Sequence, residues 1–144
     1  MRLTVFTDYA LRVLMYLALE PERRVRIRDV AESYGISRNH LMKVVNKLTR
    51  AELVESSRGV NGGLILARPA SDITVGEVVQ KCEDDLGLVE CFRTDNQCAI
   101  TPECELKNVF GHALSEFMDV LDRYTIADLV APRAKLRSRL RISA

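Results

Sequence analysis

Apolar residues recur at three- and four-residue steps along much of this chain, which is the period of a helix with one buried side. The first such stretch predicts a helix over 8–19, with Thr7 or Asp8 as its N-cap. Pro21 follows directly and ends it. Apolar residues occupy most of the circumference of this stretch, so we expect the first helix to be largely buried.

A second and a third helix are predicted on either side of a short turn. The segment 27–34 keeps the helical period, Gly35 supplies the left-handed residue of a sharp turn, and Ser37 can cap a helix over 38–50. Two helices joined in this way, the second with a basic outer side, are typical of a helix-turn-helix. The candidate readers of base edges are Arg38, Asn39 and His40, and the candidate phosphate contacts are Lys43 and Lys47.

A hairpin is predicted directly after the third helix. Val54 and the segment 64–66 have strand-like composition, and the stretch between them contains Arg58, Asn61 and two adjacent glycines. A hairpin that follows a recognition helix is a wing, and Arg58 is placed to enter a narrow minor groove. An ordinary glycine-held loop is the alternative.

The second half of the chain predicts a short helix over 75–83, opened by a capping box between Thr74 and Glu77. Cys82 lies on its apolar side and is predicted to be a core residue. A long helix follows from about 102 to 124, with Cys104 in its first turn. Its apolar stripe is more than a small domain can cover, which favours a homodimer.

Three regions and a fold class follow from these elements. We expect a winged helix-turn-helix DNA-binding domain over 1–70, a cluster-binding loop and dimerisation helix over 71–130, and a basic flexible tail over 131–144. The predicted class is mainly α. The chain shows no nucleophile elbow, phosphate loop or carboxylate pair, so an enzyme is not expected.

Charge is segregated along the chain although the net charge is +1. Residues 1–70 hold twelve Lys and Arg against seven Asp and Glu, whereas residues 71–128 hold four against thirteen. A basic head favours double-stranded DNA as its partner. No apolar run reaches the roughly 18 residues of a membrane span, and the N-terminus does not have the pattern of a secretory signal, which predicts a cytoplasmic protein.

Cys91, Cys98 and Cys104 fall within one short polar segment. Six residues separate the first pair and five the second, which is wider than the spacing typical of structural zinc. Widely spaced thiolates suit an iron–sulfur cluster, because the ligands must surround a larger object. A zinc site and a thiol-redox switch without metal remain open alternatives.

The chain resembles the NsrR nitric-oxide-sensing repressors, a branch of the winged-helix family that includes IscR. The resemblance covers residues 1–130. It is carried by the motifs at 1–4, 34–40, 58–63, 90–91 and 124–130, together with the spacing of Cys98 and Cys104. It implies a homodimer that binds a palindromic operator and carries one iron–sulfur cluster per subunit.

The resemblance also implies how the cluster is held. IscR-type members have a histidine three positions after the last cysteine, but this chain has Lys107 there. The candidate for the fourth ligand is then Asp8 of the partner subunit; a capping role with an ion pair to Arg12 is the alternative. This ligand set favours a 4Fe–4S cubane over a 2Fe–2S rhomb. Nitric oxide would be the signal, and its reaction with the cluster would release the operator.

Overall fold

The computed structural model describes residues 2–142, so Met1 of the N-terminal motif and Ser143 and Ala144 of the tail lie outside it. The N-terminal half contains α1 (Val5–Leu19), α2 (Ile27–Tyr34), α3 (Arg38–Arg50), β1 (Val54–Ser57) and β2 (Gly63–Leu66). The C-terminal half contains α4 (Val75–Cys82), α5 (Glu105–Asp122), α6 (Ile126–Leu129) and α7 (Arg133–Arg139). The expected class is confirmed: a mainly helical chain with a winged helix-turn-helix and a long C-terminal helix.

The first helix begins earlier than the sequence pattern predicts. Thr4 is the N-cap, and its hydroxyl accepts a hydrogen bond from the Thr7 amide at 3.3 Å. The prediction of a cap at Thr7 or Asp8 is therefore wrong. The earlier start of α1 depends on a residue far along the chain. Glu83 accepts hydrogen bonds from the Thr4 amide at 2.7 Å and from the Thr4 hydroxyl at 3.0 Å.

The helix-turn-helix forms as predicted. Gly35 ends α2 in the left-handed region at φ +64°, where a side chain costs conformational energy. Ile36 follows it into the angle between α2 and α3 and is buried. The apolar side of α3 is buried through Leu41, Val44, Val45 and Leu48.

The predicted wing is an antiparallel hairpin. Its register pairs Val54 with Leu66 and Ser57 with Gly63. A single bridge between Val25 and Leu64 ties β2 back to the loop before α2. The wing is therefore fixed to the helix-turn-helix from two sides, while its tip extends into solvent.

One hydrophobic core runs through both halves of the chain. α1 lies at its centre, and most of its side chains are buried, as expected. Val78 and Cys82 of α4 and Ile126 of α6 belong to the same core, so the position of Cys82 is confirmed. Thr74 caps α4 by accepting from the Glu77 amide at 3.0 Å, but the expected capping box is incomplete, because the Glu77 carboxylate is bonded to Arg68 and Lys81 instead.

The long helix α5 is packed on one side and bare on the other. Met118 is buried on the packed side, and Asp122 accepts a hydrogen bond from the Thr74 hydroxyl of α4 at 2.8 Å. Leu106, Val109 and Val120 are exposed on the other side. Among residues 2–142, no helix is both long and apolar enough to cross a membrane.

The tail that the sequence predicts to be flexible is ordered in its described part. Residues 133–139 form α7, and Leu136 and Leu140 pack against the core. Arg133 donates to the Leu19 carbonyl at 2.7 Å, and Arg137 donates to the same oxygen at 2.8 Å. Cations on the last carbonyls of α1 are favourable, because these groups have no partner within the helix.

Candidate functional site

The three clustered cysteines lie on a loop between α4 and α5 that contains two short 3₁₀ turns. Cys91 is in the turn Glu90–Phe92, and Cys98 is exposed in the polar stretch that follows. The Cys98 amide donates to the Asn96 side chain at 3.0 Å, and the Cys98 carbonyl accepts from the Thr101 hydroxyl at 2.9 Å. These local bonds set the path of the backbone around the thiol.

Cys104 is the N-cap of α5 rather than a residue of its first turn. The sequence places the start of the long helix near Pro102, but residues Thr101–Glu103 form a separate 3₁₀ turn, and α5 begins at Glu105. The Cys104 side chain accepts no hydrogen bond from the first turn of α5. The backbone N–H groups of the first turn of α5 therefore lie next to this residue.

The three thiols line one cavity of about 190 Å³. The rest of its wall is mainly apolar and includes Val89, Ile100, Leu106 and Phe110. Within residues 2–142 no three His, Cys, Asp or Glu side chains are close enough together to hold a single metal ion. The three cysteines therefore line one space without meeting at a single-ion site, and several sulfur donors around one space suit a multi-iron cluster.

Lys107 lines the same cavity at the position where IscR-type proteins carry histidine. Cys82, by contrast, is separate from the other three cysteines. It is buried at the end of α4, and burial raises the pKa of its thiol to about 11. A thiol that remains protonated in the core is a poor metal ligand.

Asp8 lies in the first turn of α1 and is not part of the cavity formed by the cysteines of its own chain. Its carboxylate is half-exposed and forms a salt bridge with Arg12, at 2.7 Å between Oδ2 and Nη2. The guanidinium of Arg12 also lies near the rings of Tyr9 and Tyr34, 5.8 and 5.7 Å from their centroids. Asp8 does not cap α1, because Thr4 is the N-cap. The ion pair between Asp8 and Arg12, the other part of that alternative, is present.

The candidate DNA contacts at the start of α3 lie together on one exposed surface, which we call the recognition surface. Arg38, Asn39, His40 and Lys43 form it. The ring of His40 lies against Tyr9 of α1, with centroids 6.3 Å apart. Of the two candidate phosphate contacts, Lys43 lies on this surface, one turn further along the helix than the candidate base readers.

The wing tip presents Arg58 and Asn61 to solvent. Arg26 donates to the Val60 carbonyl at 3.2 Å and so supports the tip. Gly62 is required there, because a Cβ at this position would lie 2.5 Å from the Ser57 carbonyl oxygen. The tip is therefore a shaped turn with an exposed arginine, which suits insertion into a groove.

Lys47, the other candidate phosphate contact, has hydrogen-bond partners within the chain. Its ammonium donates to the Cys82 carbonyl at 3.0 Å and to the Asp84 carboxylate at 2.7 Å. It is directed toward the end of α4 and away from the recognition surface. Sequence periodicity placed it on the outer side of α3, but the acidic partner that redirects it lies 37 residues further along the chain.

Glu83 is a site residue that the sequence did not indicate. Burial raises the pKa of its carboxyl, but the hydrogen bonds from Thr7 and Thr4 outweigh burial, and the net pKa is below its ordinary value. Glu83 therefore joins the end of α4 to the start of α1 as a carboxylate. Only its place in the acidic run 83–85 could have drawn attention to it.

Comparison with known proteins identifies the class of protein to which the chain belongs. The HTH-type transcriptional regulator NsrR of Bacillus licheniformis is 46% identical over 142 residues, covering 97% of this chain and 99% of the relative. NsrR of Bacillus subtilis is 46% identical over 144 residues, covering 99% of both. Relatives this similar over their full length make the chain a transcriptional regulator and not an enzyme.

Solved structures give the same fold. IscR of T. potens superposes with a TM-score of 0.72 at 28% identity, covering 92% of this chain and 88% of the other. CymR, the global cysteine regulator of B. subtilis, superposes with a TM-score of 0.73 at 24% identity, covering 92% and 98%. The family model described as Rrf2, iron-dependent transcriptional regulator, matches residues 3–132. The chain therefore belongs to the Rrf2 family of transcriptional regulators, and relatives similar to it over nearly their full length include NsrR proteins.

Proposed function

We propose that this protein is an iron–sulfur-dependent repressor that binds a palindromic operator as a homodimer and releases it in response to nitric oxide. The observation that carries the proposal is the arrangement of Cys91, Cys98 and Cys104 around one largely apolar cavity. Its membership of an iron-dependent family supports the same assignment.

The three cysteines and Asp8 of the partner subunit would hold one cluster per subunit, with a 4Fe–4S type favoured over 2Fe–2S. When bound, the cluster supplies an iron atom with a weak oxygen ligand, which a small diatomic molecule such as nitric oxide can reach. Asp8 is suited to a role in the partner's site, because its carboxylate is half-exposed and is not part of the cavity lined by the cysteines of its own chain.

The protein's own side chains control access to this site. Val89, Ile100, Leu106 and Phe110 make much of the cavity lining apolar, which suits a small uncharged gas. Cys98 is the exposed member of the three cysteines, so it is the one most open to solvent.

The exposed stripe on α5 supports a two-fold dimer. Leu106, Val109 and Val120 are too exposed for a helix with no partner, and a second copy of α5 would cover them. In such a dimer the two recognition surfaces must lie about 34 Å apart to enter successive turns of the major groove. Arg58 of each wing would contact the adjacent minor groove.

A ligand shared between subunits explains how the signal reaches DNA. Asp8 lies on α1 of one subunit, and the cysteine loop belongs to the other, so a shared cluster fixes the two DNA-binding heads relative to each other. Release of Asp8 lets the heads move. Loss of contacts worth about 3–4 kcal/mol at one half-site weakens binding by more than about 100-fold.

Anaerobic purification followed by visible spectroscopy tests the proposal. Wild-type protein and the Cys82→Ala control are expected to be coloured, and serine variants of Cys91, Cys98 and Cys104 are expected to lose the visible absorbance. Absorbance that survives serine substitution at any of the three positions contradicts the proposal. A colourless wild-type protein that still binds DNA supports the zinc-stabilised or thiol-redox alternative.

A further inference from the structure

Lys47 connects the recognition helix to the point where the cysteine loop begins. It extends from the C-terminal part of α3, and its ammonium binds the Cys82 carbonyl at 3.0 Å and the Asp84 carboxylate at 2.7 Å. The Phe6 ring of α1 lies beneath it, with the ammonium 5.7 Å from the ring centroid. Residues of α1, α3 and α4 therefore meet around the Lys47 ammonium group.

The same short segment is fastened to the start of α1. Glu83 accepts hydrogen bonds from the Thr4 amide and from the hydroxyls of Thr4 and Thr7. Thr7 is fully buried, whereas the bonds from Thr4 are exposed, so this contact lies at the edge of the core. We call Lys47, Cys82, Glu83 and Asp84, with Thr4 and Thr7, the junction.

The junction lies between the candidate cluster ligands and the recognition surface. Asp8 directly follows Thr7 on α1, and Cys91 is reached by a loop that starts at Asp84. Any shift of Asp8 or of the cysteine loop therefore acts on the segment that Lys47 holds. A displacement there is passed to α3 mainly through the part-buried hydrogen bond from Lys47 to the Cys82 carbonyl, because an ion pair with a side chain as exposed as Asp84 is weak.

We propose that Lys47 is a positioning residue that transmits the state of the cysteine loop to the recognition helix, and that it does not contact DNA phosphate. The inference rests on the proposed cluster-dependent function. Its charge is already matched by Asp84, and its ammonium points to the end of α4. A phosphate contact would require Lys47 to give up both of these partners.

The salt dependence of DNA binding distinguishes a positioning role of Lys47 from a phosphate contact by Lys47. We would measure fluorescence anisotropy of a duplex selected by the wild-type protein from random DNA, at several salt concentrations, with cluster-loaded and cluster-free protein. Lys43→Met is the matched control, since Lys43 lies on the same helix and belongs to the recognition surface. Each phosphate contact that is lost lowers the magnitude of the slope of log affinity against log salt by about 0.9. The loss of one contact per subunit therefore lowers it by about 1.8 in a dimer.

We expect Lys43→Met to lower the slope in both forms of the protein. Lys47→Met is expected to leave the slope unchanged and to reduce the ratio of cluster-loaded to cluster-free affinity by about tenfold. Lys47→Arg, which keeps the charge, should restore much of the ratio. Asp84→Asn should reduce it by a smaller factor, and this substitution is safe for folding because the Asp84 side chain is 94% exposed.

Two results overturn the inference. One is a slope that falls in Lys47→Met as it does in Lys43→Met, which makes Lys47 a phosphate contact. The other is a ratio that stays at the wild-type value in both Lys47→Met and Asp84→Asn. If wild-type protein itself binds equally well with and without cluster, the proposed function fails and the coupling role of Lys47 fails with it.

Discussion

The carboxylate of Asp8 and the guanidinium of Arg12 form a salt bridge one helical turn apart on α1, with 2.7 Å between Oδ2 and Nη2. Both side chains are substantially exposed, at 49% and 40%. An exposed pair of this kind contributes only about 0.3–0.5 kcal/mol to folding. Breaking this pair would therefore cost little if Asp8 binds the cluster of the partner subunit as proposed.

Asp8→Asn should separate the ligand role of Asp8 from its ion pair. The free energy of unfolding of the cluster-free protein should fall by no more than about 0.5 kcal/mol. The cluster-loaded protein should lose visible absorbance faster under anaerobic conditions, because an amide is a weaker iron ligand than a carboxylate. Arg12→Gln is the control, since it removes the same ion pair and keeps the carboxylate. Equal cluster lifetimes in the wild type and Asp8→Asn would exclude Asp8 as a ligand.

Arg58→Ala should weaken binding to the selected duplex. Its side chain extends from the exposed wing tip, and a lost groove contact costs about 1–3 kcal/mol. Anisotropy titrations at one fixed salt concentration measure the change. Arg123→Ala, which removes an exposed arginine at the end of α5, should leave affinity near the wild-type value. If the two variants bind equally well, the wing does not contact DNA.

Val109→Glu should separate the proposed dimer into monomers. Val109 is 60% exposed at the centre of the uncovered stripe of α5, and a charge buried there by a second copy would have no partner. Sedimentation velocity of the cluster-free protein measures the change. Ser115→Glu adds the same charge to another exposed part of α5 and should leave the dimer intact. A dimeric Val109→Glu variant would show that the stripe is not the interface.

The stability of the cluster-free protein should fall above about pH 9, in part because of Cys82. Burial raises the pKa of its thiol to about 11 in the folded protein, whereas an unfolded chain has the ordinary value near 9. The folded state therefore holds this proton more tightly, and its stabilising effect is lost as pH rises from about 9 to 11. A difference of two pKa units between the folded and unfolded states corresponds to at most about 3 kcal/mol in the free energy of unfolding.

Urea unfolding from pH 8 to 11 in wild type and Cys82→Ala measures this contribution. Other groups titrate in the same range, including Tyr34, whose pKa is raised to about 12 mainly by burial. The difference between the two pH profiles isolates Cys82. Parallel profiles would mean that the Cys82 thiol is not held protonated by the core.

Local signals in the sequence were sufficient for much of the fold. The positive φ at Gly35, the burial of Leu41 and Leu48, and the hairpin between Val54 and Leu66 each depend on residues close in sequence. The grouping of the three cysteines around one cavity also follows from their closeness along the chain. These features were predictable because helical period and turn chemistry act over a few residues.

The features that could not be predicted from the sequence depend on partners that are far apart along the chain. Thr4 caps α1 while bonded to Glu83, 79 residues away, and Lys47 is directed by Asp84. The last helix is held to α1 by Arg133, which donates to Leu19 across 114 residues. Periodicity describes one element at a time, so it cannot identify such contacts.

The most direct measurement follows DNA affinity and visible absorbance together as nitric oxide is added to anaerobic, cluster-loaded wild-type protein. We expect the absorbance of the cluster to change, and affinity for the selected duplex to fall by about 100-fold or more over the same range of nitric oxide. Affinity that stays constant while the absorbance changes would contradict control of DNA binding by the site at Cys91, Cys98 and Cys104.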